Sequence, residues 1–460
     1  MNLPGAGSKL LALALLTGTA ATAIAAPGSP VASPVRSILA NGEPPLAYTV
    51  GRGDNLYTLA LRNFMRLDDY RVVQRLNHVR DPYRLPVGSI LLIPRPFLKT
   101  DALQAKIIAF RGATTIDGQP ATLGVAIGEG QRIRTGPNAF LSVGLADGST
   151  ITLPSQSVIR IERLRRFRLT GEMERLFKLE NGRSQSAVTP RTNDRDRFEI
   201  RTPISAAAVR GTDFRVALLD GGKAATTEVL SGHVDLAGGG TNAMLDPGVG
   251  ARVTVEGTTG PVKLLPAPEI ADPARVQSDP NLSFRILPPE KAARFRVQIA
   301  KDAGFLDIVE EGLSDGTQAT LPPVTNGDYF VRVTAIDMDD IEGLPRVVAF
   351  ERYLNAVHTT VEPLAGGRRF LFKWQDLGEG AHHYRFTIAR IDAPDSPVID
   401  EPMLSAQSFV ATNLPPGDYV WRVQTSGTVN GKSYSNWSTP QTLTVAGESK
   451  SKKRAKPPAP

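Results

Sequence analysis

The 460-residue chain contains no cysteine. That excludes disulfides, thiolate metal sites, a cysteine nucleophile and a lipid-acylated cysteine. Histidine is also scarce. His78, His233, His358, His382 and His383 fall in four separate places, unlike the clustered ligands of a zinc hydrolase. His382 and His383 are adjacent, and on a strand they point to opposite faces. No G-x-S-x-G or phosphate-binding loop occurs. Asp337, Asp339, Asp340 and Glu342 lack the ligand spacing of a calcium loop and read as a hairpin. No metal or cofactor site is expected. No apolar stretch reaches the ~20 residues that a membrane span needs. What is present suits folded, exposed-surface domains: 41% hydrophobic and 22% charged residues, with 42 glycines and 36 prolines. At roughly 100–200 residues per domain, three or four domains are expected.

The start of the chain reads as an address. Lys9 precedes the run Leu10-Leu11-Ala12-Leu13-Ala14-Leu15-Leu16, and small residues follow to Ala26. A charged start, a short apolar core and Ala23-Ile24-Ala25 make a cleavable signal peptide over residues 1–25. Residues 26–47 carry five prolines and read as an extended linker. The formal net charge is +7. Lys9 supplies +1 of this and the lysine-rich residues 448–460 a net +4, leaving +2 for the rest. A body so close to neutral argues against a nucleic-acid partner, and the tail reads as a basic disordered end.

Residues 48–94 read as β-α-α-β in fewer than 50 residues. Tyr48-Thr49-Val50 is strand-like, and Asp54 is placed to cap a helix whose apolar face is Leu56, Leu59, Ala60 and Phe64. Asp69 caps a second helix with Val72, Val73 and Leu76, which Asn77 ends in a left-handed conformation. Pro82, Pro86 and Gly88 make turns before a strand from Ser89 to Ile93. The segment resembles a LysM domain through Tyr48, Val50, Gly53, Asp54, Leu56, Leu59, Ala60, Asn77, Leu85, Gly88, Ile93 and Pro94. The resemblance implies binding of N-acetylglucosamine polymers, in bacteria peptidoglycan. It places the groove between two loops: Gly53, Asp54, Asn55, Leu56 and Tyr57 in one, Asp81, Pro82, Tyr83, Arg84 and Leu85 in the other. The chemistry agrees. A sugar ring needs exposed backbone donors and acceptors beside a flat apolar face, which Tyr57 or Tyr83 supplies.

Residues 101–265 read as an all-β domain. Short runs such as Lys106 to Phe110, Ile151 to Leu153, Val158 to Ile161, Phe198 to Ile200 and Phe214 to Val216 are separated by Asp117-Gly118, Asp147-Gly148, Asn181-Gly182 and Asp220-Gly221. Three stretches resemble the FecR domain, most specifically Ala207-Ala208-Val209-Arg210-Gly211-Thr212-Asp213-Phe214. FecR itself relays a signal from an outer-membrane receptor, a role that needs a membrane-spanning helix. The resemblance therefore implies an exported β scaffold. Arg210, set between small residues, is expected to be buried in a salt bridge. The arginine-rich residues 162–168 read as an edge strand guarded by charge.

From residue 279 the chain repeats with a period of about 90 residues. Leu321-Pro322-Pro323 with Gly327-Asp328-Tyr329 matches Leu414-Pro415-Pro416 with Gly417-Asp418-Tyr419. Each copy suits one β-sandwich. Both resemble fibronectin type III or immunoglobulin-like modules, over residues 279–355 and 356–447, with Tyr329 and Tyr419 as corner tyrosines. Trp374, Trp421 and Trp437 read as packing residues. The expected fold is mainly β and multidomain: a small βααβ LysM module (48–95), an all-β FecR-like domain and two β-sandwiches. The expected function is a non-catalytic, periplasmic peptidoglycan-binding scaffold with an envelope protein partner, and the alternative is a periplasmic signal-relay protein acting on a membrane partner.

Overall fold

The computed structural model describes residues 44–447, apart from 191, 192, 194, 274, 366, 379–381 and 430. The expected leader, most of the proline-rich linker and the basic tail lie outside the described residues. The chain divides into two compact units that part after Lys99. Among the described residues, no helix is long and apolar enough to cross a membrane.

The first unit has the order read from its sequence. The strand Leu46–Thr49 pairs antiparallel with Ile90–Ile93, Leu46 opposite Ile93. Between them lie the helices Leu56–Asn63 and Tyr70–Leu76. Leu56, Leu59, Ala60 and Phe64 are all buried, as the apolar spacing requires. Of the second helix only Val73 is buried. Three capping expectations are corrected. Asp69 precedes the second helix in a helical conformation, and its side chain makes no cap hydrogen bond. The first helix is capped by Asn55, whose Oδ1 accepts from the Thr58 N–H at 2.8 Å, and not by Asp54. Asn77 is not left-handed, with φ −99° and ψ 6°. Its amide instead joins helix to strand: Nδ2 donates to the Val73 and Leu92 carbonyls, each at 2.8 Å, and Oδ1 accepts from the Leu92 N–H at 2.7 Å.

The second unit is built from strands. One sheet contains, in hydrogen-bonded order, Thr114–Ile116, Arg132–Thr135, Val158–Phe167, Met173–Ala187, Arg197–Arg201, Ser205–Val209, Val234–Gly238 and Thr241–Leu245. A second contains Ala105–Arg111, Phe140–Leu145, Thr150–Leu153, Met173–Ala187 again, Asp213–Leu219, Ala224–Ser231, Val249–Thr254 and Gly257–Lys263. Together they close a barrel around one apolar core. The long strand Met173–Ala187 belongs to both sheets, and Gly182 is where it crosses. Gly182 has φ +74°, and a Cβ there would sit 2.6 Å from the Gln156 carbonyl oxygen, so only glycine fits. Asn181-Gly182 is therefore a kink within a continuous strand, not a turn. Asp117-Gly118 and Asp220-Gly221 are true hairpin turns with positive φ at both residues. Val158–Phe167 is not an edge strand: Met173–Ala187 flanks it on one side and Arg132–Thr135 and Thr100–Ala102 on the other.

Two sandwiches follow. The first packs Glu269–Ala271, Leu282–Leu287 and Gln318–Leu321 against a sheet ordered Ile308–Ser314, Arg294–Ala300, Gly327–Ile336 and Glu342–Arg352. The second packs Val357–Leu364, Arg369–Asp376 and Ser408–Ala411 against Pro397–Leu404, His382–Arg390, Gly417–Val429 and Lys432–Trp437, with Gln441–Val445 also on Gly417–Val429. Both corner tyrosines are present. Tyr329 Oη donates to the Thr325 carbonyl at 3.0 Å and Tyr419 Oη to the Pro415 carbonyl at 2.8 Å. Trp374 and Trp421 are core residues, and half-buried Trp437 lies under the Arg422 guanidinium at 4.2 Å. His382 is buried against Asp376 at 2.5 Å while His383 is exposed.

The barrel meets the first sandwich through a polar surface. Thr152, Gln185, Arg215 and Glu228 lie side by side across the barrel's second sheet. Facing them, Arg296, Gln298, Arg332 and Thr334 project from the sandwich. Glu342 joins the two. Its carboxylate receives Arg215 Nη1 at 3.0 Å and Arg183 Nη1 at 3.4 Å from the barrel, with Arg296 Nε at 3.1 Å and Thr334 Oγ1 at 2.5 Å from the sandwich. Arg215 also donates to the Glu342 and Gly343 carbonyls at 2.7 and 2.6 Å. Burial alone would push the Glu342 carboxyl up, but Arg215, Arg296 and Arg183 outweigh it and hold the group far below the usual carboxylate range. Glu228, deeper and poorly paired, is pushed up by burial. Phe140 of the barrel packs with Ala300, Phe305 and Ile308 of the sandwich at one side of this surface.

Replacing Glu342 by alanine removes the carboxylate shared by Arg183, Arg215 and Arg296 at this buried surface, so Glu342→Ala is expected to cost about 3–5 kcal/mol in chemical denaturation. Because the folded carboxyl value is depressed, this stabilisation is present above the ordinary value of 4.5 and lost as the pH falls below it. Acid unfolding of Glu342→Ala is correspondingly expected to be less pH-dependent than that of the unaltered chain.

Candidate functional site

The loop after the first strand is held from within. The Asp54 carboxylate accepts from the Tyr48 hydroxyl at 2.6 Å and from the Gly51 N–H at 2.7 Å. Burial first, then the hydrogen bond and negative charge of Asp54, push the Tyr48 phenol up to about 12. Asp54 thus ties the loop to the strand behind it, while Gly53 is exposed at its tip. The second loop is an Asx turn: Asp81 Oδ1 accepts from the Tyr83 N–H at 2.9 Å. The loops are fastened to each other by the Leu56 N–H donating to the Pro82 carbonyl at 2.7 Å.

The fastening brings the two suspected rings together. Tyr57 and Tyr83 have centroids 5.8 Å apart, and Tyr83 is 62% exposed. A third ring, Tyr70, meets Tyr57 edge-on at 5.9 Å. Tyr70 escaped the sequence reading because its only local role is to open the second helix. The remaining groove residues separate by role. Leu56 is fully buried, with its N–H committed to the Pro82 carbonyl. Asn55 is half-buried with its side chain committed to the helix cap, and Leu85 and Pro82 are half-buried. Asp81, Tyr83 and Arg84 are exposed. The arrangement offers an aromatic platform bordered by exposed loop backbone.

The module also carries concentrated charge. Residues 44–99 hold nine basic residues against Asp54, Asp68, Asp69 and Asp81, a net +5, whereas residues 100–447 are net −3. Seven of the basic residues (Arg52, Arg62, Arg66, Arg71, Arg75, Arg80 and Arg84) are exposed. The near-neutral sum over the body conceals two parts of opposite sign.

In the barrel, Arg210 is exposed, against expectation. The buried arginines of the barrel are instead Arg215 and Arg175, the latter paired with Asp147 and stacked 5.8 Å from the Phe198 ring. What distinguishes the Arg210-Gly211-Thr212 stretch is close packing. Gly211 has φ +83°, and a Cβ there would lie 2.7 Å from Pro190 Cα. Among the described residues, no group of three or more histidine, aspartate or glutamate side chains is placed to hold a metal ion.

Two protein families match. The LysM domain family covers residues 48–94 and the FecR protein family residues 131–235. No curated protein matches the chain. Among solved structures, a candidate anti-sigma factor from Parabacteroides distasonis is 21% identical with a TM-score of 0.23, covering 27% of this chain and 54% of its own. The chain thus spans about half the length of that protein. A two-domain fibronectin type III segment of chicken tenascin is 15% identical with a TM-score of 0.19, covering 40% of this chain and 100% of its own. Fibronectin(III)-like modules of Clostridium thermocellum CbhA are 12% identical with a TM-score of 0.18, covering 38% and 90%. The chain carries a LysM domain and a FecR region, followed by two β-sandwich repeats.

Substitution Asp54→Ala is expected to destabilise the module by about 1–3 kcal/mol. It is also expected to bring the Tyr48 phenol down from about 12 toward its ordinary 10, read by ultraviolet titration of tyrosine.

Proposed function

We propose that the chain is an exported, non-catalytic scaffold of the bacterial cell envelope that grips the N-acetylglucosamine-containing glycan of peptidoglycan through its LysM module. The observation that carries this reading is the exposed Tyr83 ring beside Tyr57, on two loops joined by the Leu56–Pro82 hydrogen bond within the LysM match. A pyranose presents a C–H face that packs on an aromatic ring, and its acetamido group pairs with loop backbone. Gly53, Asn55, Tyr57, Asp81, Pro82, Tyr83, Arg84 and Leu85 form the proposed groove, and Asp54 and Leu56 support it from beneath. The exposed arginines favour a polymer that carries carboxylates, as the peptide stems of peptidoglycan do. The basic module faces the wall while the net-negative remainder, with its FecR region and sandwiches, is free to hold an envelope protein. A second reading, relay of a signal to a membrane partner, is supported by the FecR match. It predicts a membrane protein that co-purifies only when residues 101–265 are present.

Co-sedimentation of the chain with insoluble peptidoglycan tests the first reading. Retention is expected to be lost on deleting residues 48–94 and to weaken about 10-fold in Tyr83→Ala. Added salt is expected to weaken it further. Equal retention without residues 48–94 would overturn it.

A further inference from the structure

The polar surface between barrel and first sandwich holds a partly open cavity of about 30 Å³. Its ionisable lining is lopsided: Arg183, Arg215, Arg296 and Arg332 against one carboxylate, Glu342. That carboxylate already serves Arg183, Arg215 and Arg296, and Arg296 has Glu311 as well, at 2.8 Å. Arg332 differs. It is 9% exposed, yet among the described residues no carboxylate lies within ion-pair distance of it. Its Nε and Nη2 both donate to one neutral oxygen, Gln298 Oε1, at 2.9 and 2.6 Å, and its guanidinium lies 4.3 Å from the Phe305 centroid. Burial, with Arg215 nearby, draws its pKa down to about 10. Close by, Arg215 Nε makes no hydrogen bond in the protein, and its ion-pair partner there, Glu228 Oε2, stands off at 3.8 Å. Buried guanidinium groups are rarely left without a counter-charge, because the desolvation cost is several kcal/mol per ion.

We propose that this cavity is a binding site for a small monovalent anion of chloride size, held by Arg332 and Arg215 between the barrel and the sandwich. A single water needs roughly 10–15 Å³, so the cavity has room for a particle somewhat larger than water, which chloride fits. A spherical anion accepts N–H groups from several directions, which suits guanidinium groups converging from two sheets. The anion supplies the charge that Glu342 cannot share further.

Bromide is the probe. Crystals of the whole chain soaked in sodium bromide are expected to show an anomalous peak within hydrogen-bond distance of the Arg332 guanidinium. Thermal unfolding of the whole chain is expected to occur ~2–4 °C higher in sodium chloride than in sodium gluconate at equal ionic strength. Arg332→Gln is expected to erase that difference. Should Arg332→Gln fail to fold, the bromide map of the unaltered chain decides alone. No bromide peak in the cavity overturns the proposal, as does a chloride effect that persists undiminished in Arg332→Gln.

Discussion

The Glu342 carboxylate holds the larger unit together. It lies at the start of a sandwich strand, yet two of its three arginines come from the barrel, 127 and 159 residues away in sequence. Coulomb attraction among buried groups is strong, but so is the cost of removing each from water. The structure offsets that cost by saturating the carboxylate: Arg183, Arg215, Arg296 and Thr334 all address it. A contact made this way is specific. Sliding the sandwich by one strand position would leave several ions buried and unpaired.

What was legible in the sequence was local. Period-two runs gave the strands, Asp-Gly pairs gave hairpins, and the repeated Gly-Asp-Tyr gave two sandwiches with corner tyrosines, because each depends on neighbours within a few residues. The misreadings share the opposite cause. Asn181-Gly182 has the chemistry of a turn, but the sheets on either side keep the strand running through it. Arg210 looked buried because of its small neighbours, whereas Arg215, five residues on, makes the long-range pair. Residues 162–168 looked like an edge because their charges pair with partners such as Asp101, Glu129 and Glu174, which sequence cannot bring alongside.

The proposed glycan site shows the same division at smaller scale. Its two loops came from the LysM resemblance, and two of its rings from exposure habits. Asp54 and Asn55 differ by one position, and which caps the helix is decided by Tyr48, whose hydroxyl claims Asp54. Tyr70 and Asn77 do their work across the module: one completes the ring cluster, the other laces helix to strand. The loops are thereby mounted on a small rigid base, which lowers the ordering cost of gripping a ligand.

The polar face of the barrel also bears on how the chain emerges during synthesis. Its outer row of Thr152, Gln185, Arg215 and Glu228 is complete before Glu342 has been translated. An apolar face waiting at that stage would be sticky. This one stays hydrated until its partner arrives, so the nascent barrel has a built-in guard against premature association, and desolvation is deferred to the moment of docking.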